Sequence, residues 1–139
     1  MKLPLFVWTG ISKAVINNLI SCAGDTNKTY IHSWITSTIS SSFTSPWTMI
    51  SWLTFDWTNL ISCDRDRNKI YIHSWITSTI SSSFASPTNF PFWLAFDWTN
   101  LISCDLLSKK IYVHSWKTST ITTSFASPAN NTSWLTTAP

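Results

Sequence analysis

Three cysteines and three histidines recur at a single spacing. Cys22, Cys63 and Cys104 are each 41 residues apart, and so are His32, His73 and His114. An odd set of cysteines can leave a reactive thiol or form a disulfide. Three histidines can gather around a metal ion if the chain closes with threefold symmetry. Against this, no carboxylate accompanies the histidines at ligand spacing, so the bland reading is a polar residue at a strand end beside a turn. The cysteines read as small buried hydrophobes on equivalent strands, too far apart to bridge. The six acidic residues are all Asp: Asp25, Asp56, Asp64, Asp66, Asp97 and Asp105. With no Glu, and with each Asp in a repeated turn, none stands out as a general acid or base. Asp56 and Asp97 read as turn residues, and Asp64-Arg65-Asp66-Arg67 as a solvated mixed-charge loop. No phosphate loop, zinc motif or nucleophile elbow is present. The expectation is no catalytic residue, no metal and no cofactor.

The residue type that could bind a ligand is tryptophan. Trp34, Trp75 and Trp116 share the same spacing of 41, each just after a serine. Flat apolar rings with polar neighbours suit stacking on a sugar, which makes these three the candidate binding residues.

The element that must position all of these is one repeated stretch, Asn59 to Pro87, copied with light edits on both sides of itself. The whole chain, 1–139, reads as one repeat domain. Its units run over about 10–49, 50–90 and 91–131, and a fourth opens at 132–139 with Ser133-Trp134-Leu135-Thr136. Periods of this size mark propellers, solenoids and other arrays. Each unit reads as four short strands. Strand a is Trp52–Phe55, strand b Leu60–Cys63, strand c Lys69–His73 and strand d Thr77–Phe84. In strand c, Ile70 and Ile72 share one face, and Lys69, Tyr71 and His73 the other. Ser-Pro pairs at 45–46, 86–87 and 127–128 punctuate the units.

The turns are anomalous. Short hairpins need residues that accept positive φ. This chain has ten Trp and two Gly, and it places Trp where Gly belongs: Asp56-Trp57, Asp97-Trp98, Ser33-Trp34, Ser74-Trp75 and Ser115-Trp116. A left-handed backbone would cost about 1–2 kcal/mol at each. Five sites together would cost about as much as a whole domain's stability. The reading that removes the conflict is that many of these Trp are glycines translated through the wrong genetic code. UGA means glycine in some bacterial lineages and tryptophan in others. The alternative is a different turn type that tolerates Trp.

With that substitution in mind, the unit resembles NHL-type and gluconolactonase-like β-propeller repeats. The matching residues are Pro46, Trp52-Leu53-Thr54-Phe55-Asp56-Trp57, Asn59-Leu60, Asp64 and Asn68-Lys69-Ile70. In the third unit they are Trp93 to Trp98, Asn100-Leu101, Asp105 and Lys110-Ile111. The likeness departs at the two expected glycines, at Ala23 where Asp64 and Asp105 stand, and at Leu106-Leu107. It implies an all-β, incomplete propeller of four-stranded antiparallel units. Three units and a fraction are too few for a typical ring of four to eight blades, so the chain would belong to a longer protein, or an assembly would complete the ring. The alternative architecture is a β-trefoil, which has no place for a fourth unit.

Composition narrows the function. Charged residues are only 11 %, the net charge is +3, and the basic residues are scattered, which excludes a nucleic-acid footprint. No apolar run is long enough to span a membrane as a helix. Leu19-Ile20-Ser21-Cys22 looks like a lipoprotein cleavage box, but Leu-Ile-Ser-Cys recurs at 60–63 and 101–104 and is explained by the repeat. Asn27-Lys28-Thr29, Asn130-Asn131-Thr132 and Asn131-Thr132-Ser133 match the glycosylation pattern, as chance allows in so Asn-, Ser- and Thr-rich a chain. The leading expectation is a non-catalytic interaction scaffold with a protein or glycan partner, suited to a surface or secreted protein. A carbohydrate-binding module comes second and a metal-dependent lactonase-like hydrolase third. Unclosed blades should also self-associate through open strand edges.

Overall fold

The computed structural model describes residues 18–23, 26–45 and 50–128. Runs of Ile, Thr, Tyr, Phe and Ser favour extended backbone, and among the described residues the chain forms eleven strands and no helix. The first unit holds β1 (Ile20–Ala23), β2 (Lys28–His32) and β3 (Ile39–Thr44). The second holds β4 (Ile50–Phe55), β5 (Leu60–Asp64), β6 (Lys69–His73) and β7 (Ile80–Ala85). The third holds β8 (Pro91–Phe96), β9 (Leu101–Asp105), β10 (Lys110–His114) and β11 (Ile121–Ala126). Each unit is its own antiparallel sheet in simple up-and-down order. These are the blades of an incomplete propeller, and the trefoil alternative falls with three separate sheets. The expected fourth unit, Pro46, Asp25 and the asparagines near the C-terminus lie outside the described residues.

The period-2 pattern sorts each blade into two faces. On the second blade, Cys63 pairs with Ile70 and Ile61 with Ile72, so these four side chains share the face turned to the third blade. Leu94 and Leu101 of the third blade close over them, flanked by Trp52, Phe84 and Phe96. The other face carries Leu60, Ser62, Tyr71 and His73, all buried. We call the two faces front and back. Strand a holds a bulge in each full blade, between Ile50 and Trp52 and between Pro91 and Trp93. Strand d is shorter than its composition suggests. It begins at Ile80, because residues 74–79 are drawn into a loop by side-chain bonds. Thr77 donates its hydroxyl to the Ser74 carbonyl, 2.7 Å, and accepts from the Thr79 N–H, 3.2 Å.

That loop is anchored by the repeated histidine. His73 Nδ1 lies 2.7 Å from the Thr77 carbonyl oxygen and Nε2 lies 2.9 Å from Ser62 Oγ. A carbonyl only accepts, so Nδ1 carries the hydrogen, and Nε2 of the neutral ring accepts from the serine hydroxyl. His114 repeats this with Thr118, 2.8 Å, and Ser103, 2.8 Å. His32 makes the same pair of contacts, with the Thr36 carbonyl oxygen at 3.1 Å and Ser21 Oγ at 2.8 Å. The His73 and His114 rings also meet the strand-d phenylalanine of the preceding blade: Phe43 on His73 at 6.1 Å between centroids, and Phe84 on His114 at 5.6 Å. The strand-end histidines are thus structural pins between blades.

Burial pushes the pKa of His73 and His114 down, against the hydrogen bond each makes to a backbone carbonyl. Protonation is therefore easier in the unfolded chain. The stability from the neutral rings is complete above the unfolded pKa of about 6.5 and is lost as the pH falls below it toward the folded value. Urea unfolding midpoints should drop between about pH 7 and about pH 5. A flat profile across that window would contradict buried, neutral imidazoles.

A tryptophan-lined end as the candidate binding site

In an up-and-down blade, the a–b and c–d turns fall at one end and the b–c turn at the other. Hydrogen bonds tie the two turns at the first end together. The Leu60 N–H donates to the Trp75 carbonyl, 3.1 Å, and the Trp75 N–H donates to Asn59 Oδ1, 3.3 Å. The first blade repeats the pair with Leu19, Trp34 and Asn18, and the third repeats the carbonyl bond with Leu101 and Trp116. The a–b turn is closed by its aspartate. Asp56 Oδ1 accepts from Thr58 N–H, 2.9 Å, and Asn59 N–H, 2.6 Å, and Asp97 does the same for Thr99 and Asn100. Both are turn residues, as their sequence context implies.

Tryptophan occupies the left-handed position in every one of these turns. φ is 59° at Trp34, 72° at Trp57, 62° at Trp75, 78° at Trp98 and 55° at Trp116. Among the described residues the other non-glycine positions with positive φ are Asn27, Asn68 and Lys109, one in each b–c turn. Trp57 and Trp98 hold the first central position of a two-residue hairpin, which glycine takes in a type II′ turn. The five sites at which the sequence calls for glycine are therefore the five at which a Trp backbone is left-handed. Two further Trp show crowding. Trp52 and Trp93 follow the strand-a bulges, where β4 and β8 pack directly together. Their ring centroids are 3.7 Å apart at 59°, closer than the 4.5–7 Å usual for aromatic pairs.

All five turn rings are exposed, between 41 % and 66 %. The three candidate binding residues stay apart in the fold, one per blade. Trp75 sits edge-on to Phe55 and Trp116 edge-on to Phe96. The a–b pair, Trp57 and Trp98, reads in the sequence as turn residues and not as binding candidates, although it has the same spacing. Trp57 stacks on Trp98 across the blade boundary, 4.9 Å between centroids and 16° from parallel. Together the five rings make an aromatic rim on one end of the array.

The remaining candidates are absorbed by the fold. Cys63 and Cys104 are buried, Cys22 partly so, and all three thiols are free. Burial pushes the Cys63 thiol up to about 12 and Cys104 to about 11, which leaves them inert as nucleophiles. Asp64 is buried, not solvated as its charged loop suggests. It accepts from the Asp66 and Arg67 N–H groups and from the Arg67 guanidinium. Asp105 accepts from Thr88 Oγ1 and from the N–H groups of Phe90 and Ser108. Burial works against ionisation of Asp105, but these donors outweigh it and hold its carboxyl below the usual range. Burial likewise opposes ionisation of Asp56, and the Lys117 ammonium with the two turn N–H groups overcomes it. Among the described residues, no group of three or more His, Cys, Asp or Glu is arranged to hold a metal ion. Thr29, the third residue of the glycosylation-like triplet at Asn27, is buried and bonded to Ser45 Oγ at 3.0 Å.

Comparisons with known proteins match the architecture. No family model and no curated protein matches the sequence. Among solved structures, the Myxococcus xanthus glutaminyl cyclase aligns with a TM-score of 0.68 at 10 % identity, over 79 % of this chain and 49 % of that one. The WD40 beta propeller domain of Doa1 aligns with a TM-score of 0.62 at 15 % identity, over 82 % and 38 %. The dihydro-heme d1 dehydrogenase NirN gives 0.61 at 12 %, over 97 % and 31 %. The chain thus spans about a third to a half of these three proteins. At these identities the likeness shows the fold: this is a protein of propeller-type repeats.

The turn geometry predicts an order among variants at one site. Trp75→Gly should be more stable than Trp75→Ala by about 1 kcal/mol or more, because alanine keeps the Cβ that the left-handed backbone disfavours. The same order should hold at Trp34 and Trp116. Equal urea midpoints for the two variants would show that these turns do not require positive φ.

Proposed function

We propose that the chain is a non-catalytic set of β-propeller blades that acts as an interaction scaffold for a protein partner, with repeats of the NHL type. The observation that supports it is the commitment of the ionisable side chains. Each repeated histidine bridges a serine and a loop carbonyl, and each repeated aspartate among the described residues holds the N–H groups of its own turn. What the blades leave open is the turn end, repeated from unit to unit, which suits a repetitive partner. A photo-crosslinking amino acid placed at position 98 on that end should form protein adducts in the producing cell, and one at Leu107 on the opposite end should not. Metal-dependent lactone hydrolysis by the purified chain, with no adduct at 98, would favour the lactonase-like reading instead.

A second reading, carbohydrate binding through Trp34, Trp75 and Trp116, is favoured by their exposure. It stands or falls with the identity of the residues. We infer that the five turn tryptophans, and Trp52 and Trp93 with them, are glycines in the cell that makes this protein, through UGA read as glycine. The five positive φ values and the crowded Trp52–Trp93 pair support this. The intact mass of the chain from its native source should then fall short of the printed sequence by a whole number of Trp-to-Gly differences. A mass matching ten Trp would overturn the recoding and make glycan binding the leading reading. In that case a Trp75→Ala, Trp116→Ala chain should lose its glycan-array signal.

A further inference from the structure

We propose that the front face of the third blade binds the back face of the first blade of a second copy, head to tail. The inference goes beyond the scaffold reading and rests on the packing between blades alone.

Both internal junctions share one contact. The strand-d phenylalanine of one blade meets the strand-c histidine of the next: Phe43 with His73, and Phe84 with His114. Two halves of this contact remain. Phe125 on the third blade is 52 % exposed, and His32 on the first is only partly covered. The residues around each half repeat the internal interface. On the front face Cys104 and Ile111 are already buried beside Trp93, but Ile102 and Val113 are half-buried, where their equivalents Ile61 and Ile72 are sealed by the third blade. On the back face, Leu19 is 44 % exposed, where its equivalent Leu60 is 1 % exposed. Leu19 lies opposite His32, since the His32 N–H donates to the Leu19 carbonyl at 2.9 Å. One copy therefore presents the surface that another copy lacks, continuous with an interface the chain already forms twice. The contact is heterologous, and two such junctions close a ring if the rotation matches. The three described blades from each of two copies make six, within the usual range for a propeller.

Faces carry this association rather than strand edges. The ion pair between the second and third blades has no counterpart there, because Ile35 stands at the position of Lys117. The new junction should thus be insensitive to salt.

Size-exclusion with light scattering on the full chain should give a mass of at least twice the 15.8 kDa of one copy, unchanged in high salt. Phe125→Glu should reduce it to one copy, and so should Leu19→Glu. Both residues are on the surface, so circular dichroism should show the blades intact. Mixing the two variants should restore a two-copy species, because the Leu19→Glu copy keeps an intact front and the Phe125→Glu copy an intact back. A wild-type monomer would overturn the proposal, including one in which the chain's own C-terminal segment covers the face. A multimer that Phe125→Glu leaves intact would also overturn it, and so would a mixture that stays monomeric.

Discussion

A strand pair that reverses in two residues must pass through a left-handed backbone, and this architecture is a succession of such reversals. The right-handed twist of the strands selects turns whose central residues take positive φ. Everything else in a blade follows from where those turns fall. They set the register of β4 on β5, which puts Ile61 and Cys63 on one face and Ser62 on the other. A slip of one residue would exchange the two faces and leave the junctions between blades without an apolar surface. That constraint is met in the b–c turns by asparagine in two blades, a residue that tolerates the conformation. At the other end it is met by tryptophan, the bulkiest residue available. A fold whose register depends on these positions is thus held by the residues least suited to them.

The second organising interaction is the histidine that joins three things at once. Its two ring nitrogens fasten a strand-b serine to the c–d loop, and its face receives a phenylalanine from the neighbouring blade. Intrablade order and interblade packing therefore share one side chain. At His73 and His114 burial favours the neutral imidazole, since a protonated ring would lose most of its solvation. The chemistry that makes histidine attractive as a catalyst is used here for its paired donor and acceptor.

Much of this was legible in the sequence. Strand c, Lys69–His73, falls where its alternation puts it, and the left-handed tryptophans are those marked by Asp-Trp and Ser-Trp. The errors have physical causes. Strand d starts three residues late, because composition cannot show that Thr77 is held by Ser74 and His73. Asp64 reads as solvated among charged neighbours, yet its carboxylate turns inward to cap the loop that carries them. The Trp57–Trp98 stack depends on how one blade is rotated against the next, and the spacing within a repeat does not encode that rotation.

Near-identical blades raise a problem of order, since a blade can dock on the wrong neighbour almost as well as on the right one. One position departs from the repeat in a way that bears on this. Lys117 of the third blade reaches Asp56 of the second in a largely buried ion pair, and its equivalent in the second blade, Ile76, is buried. The sequence places Val15 where Asp56 stands one unit later. In sequence the first unit therefore offers no carboxylate at the position that pairs with Lys117, and a lysine buried without a counter-charge carries a heavy penalty. The two junctions thus carry different keys, one apolar and one ionic, and a folding chain can tell its second blade from its third.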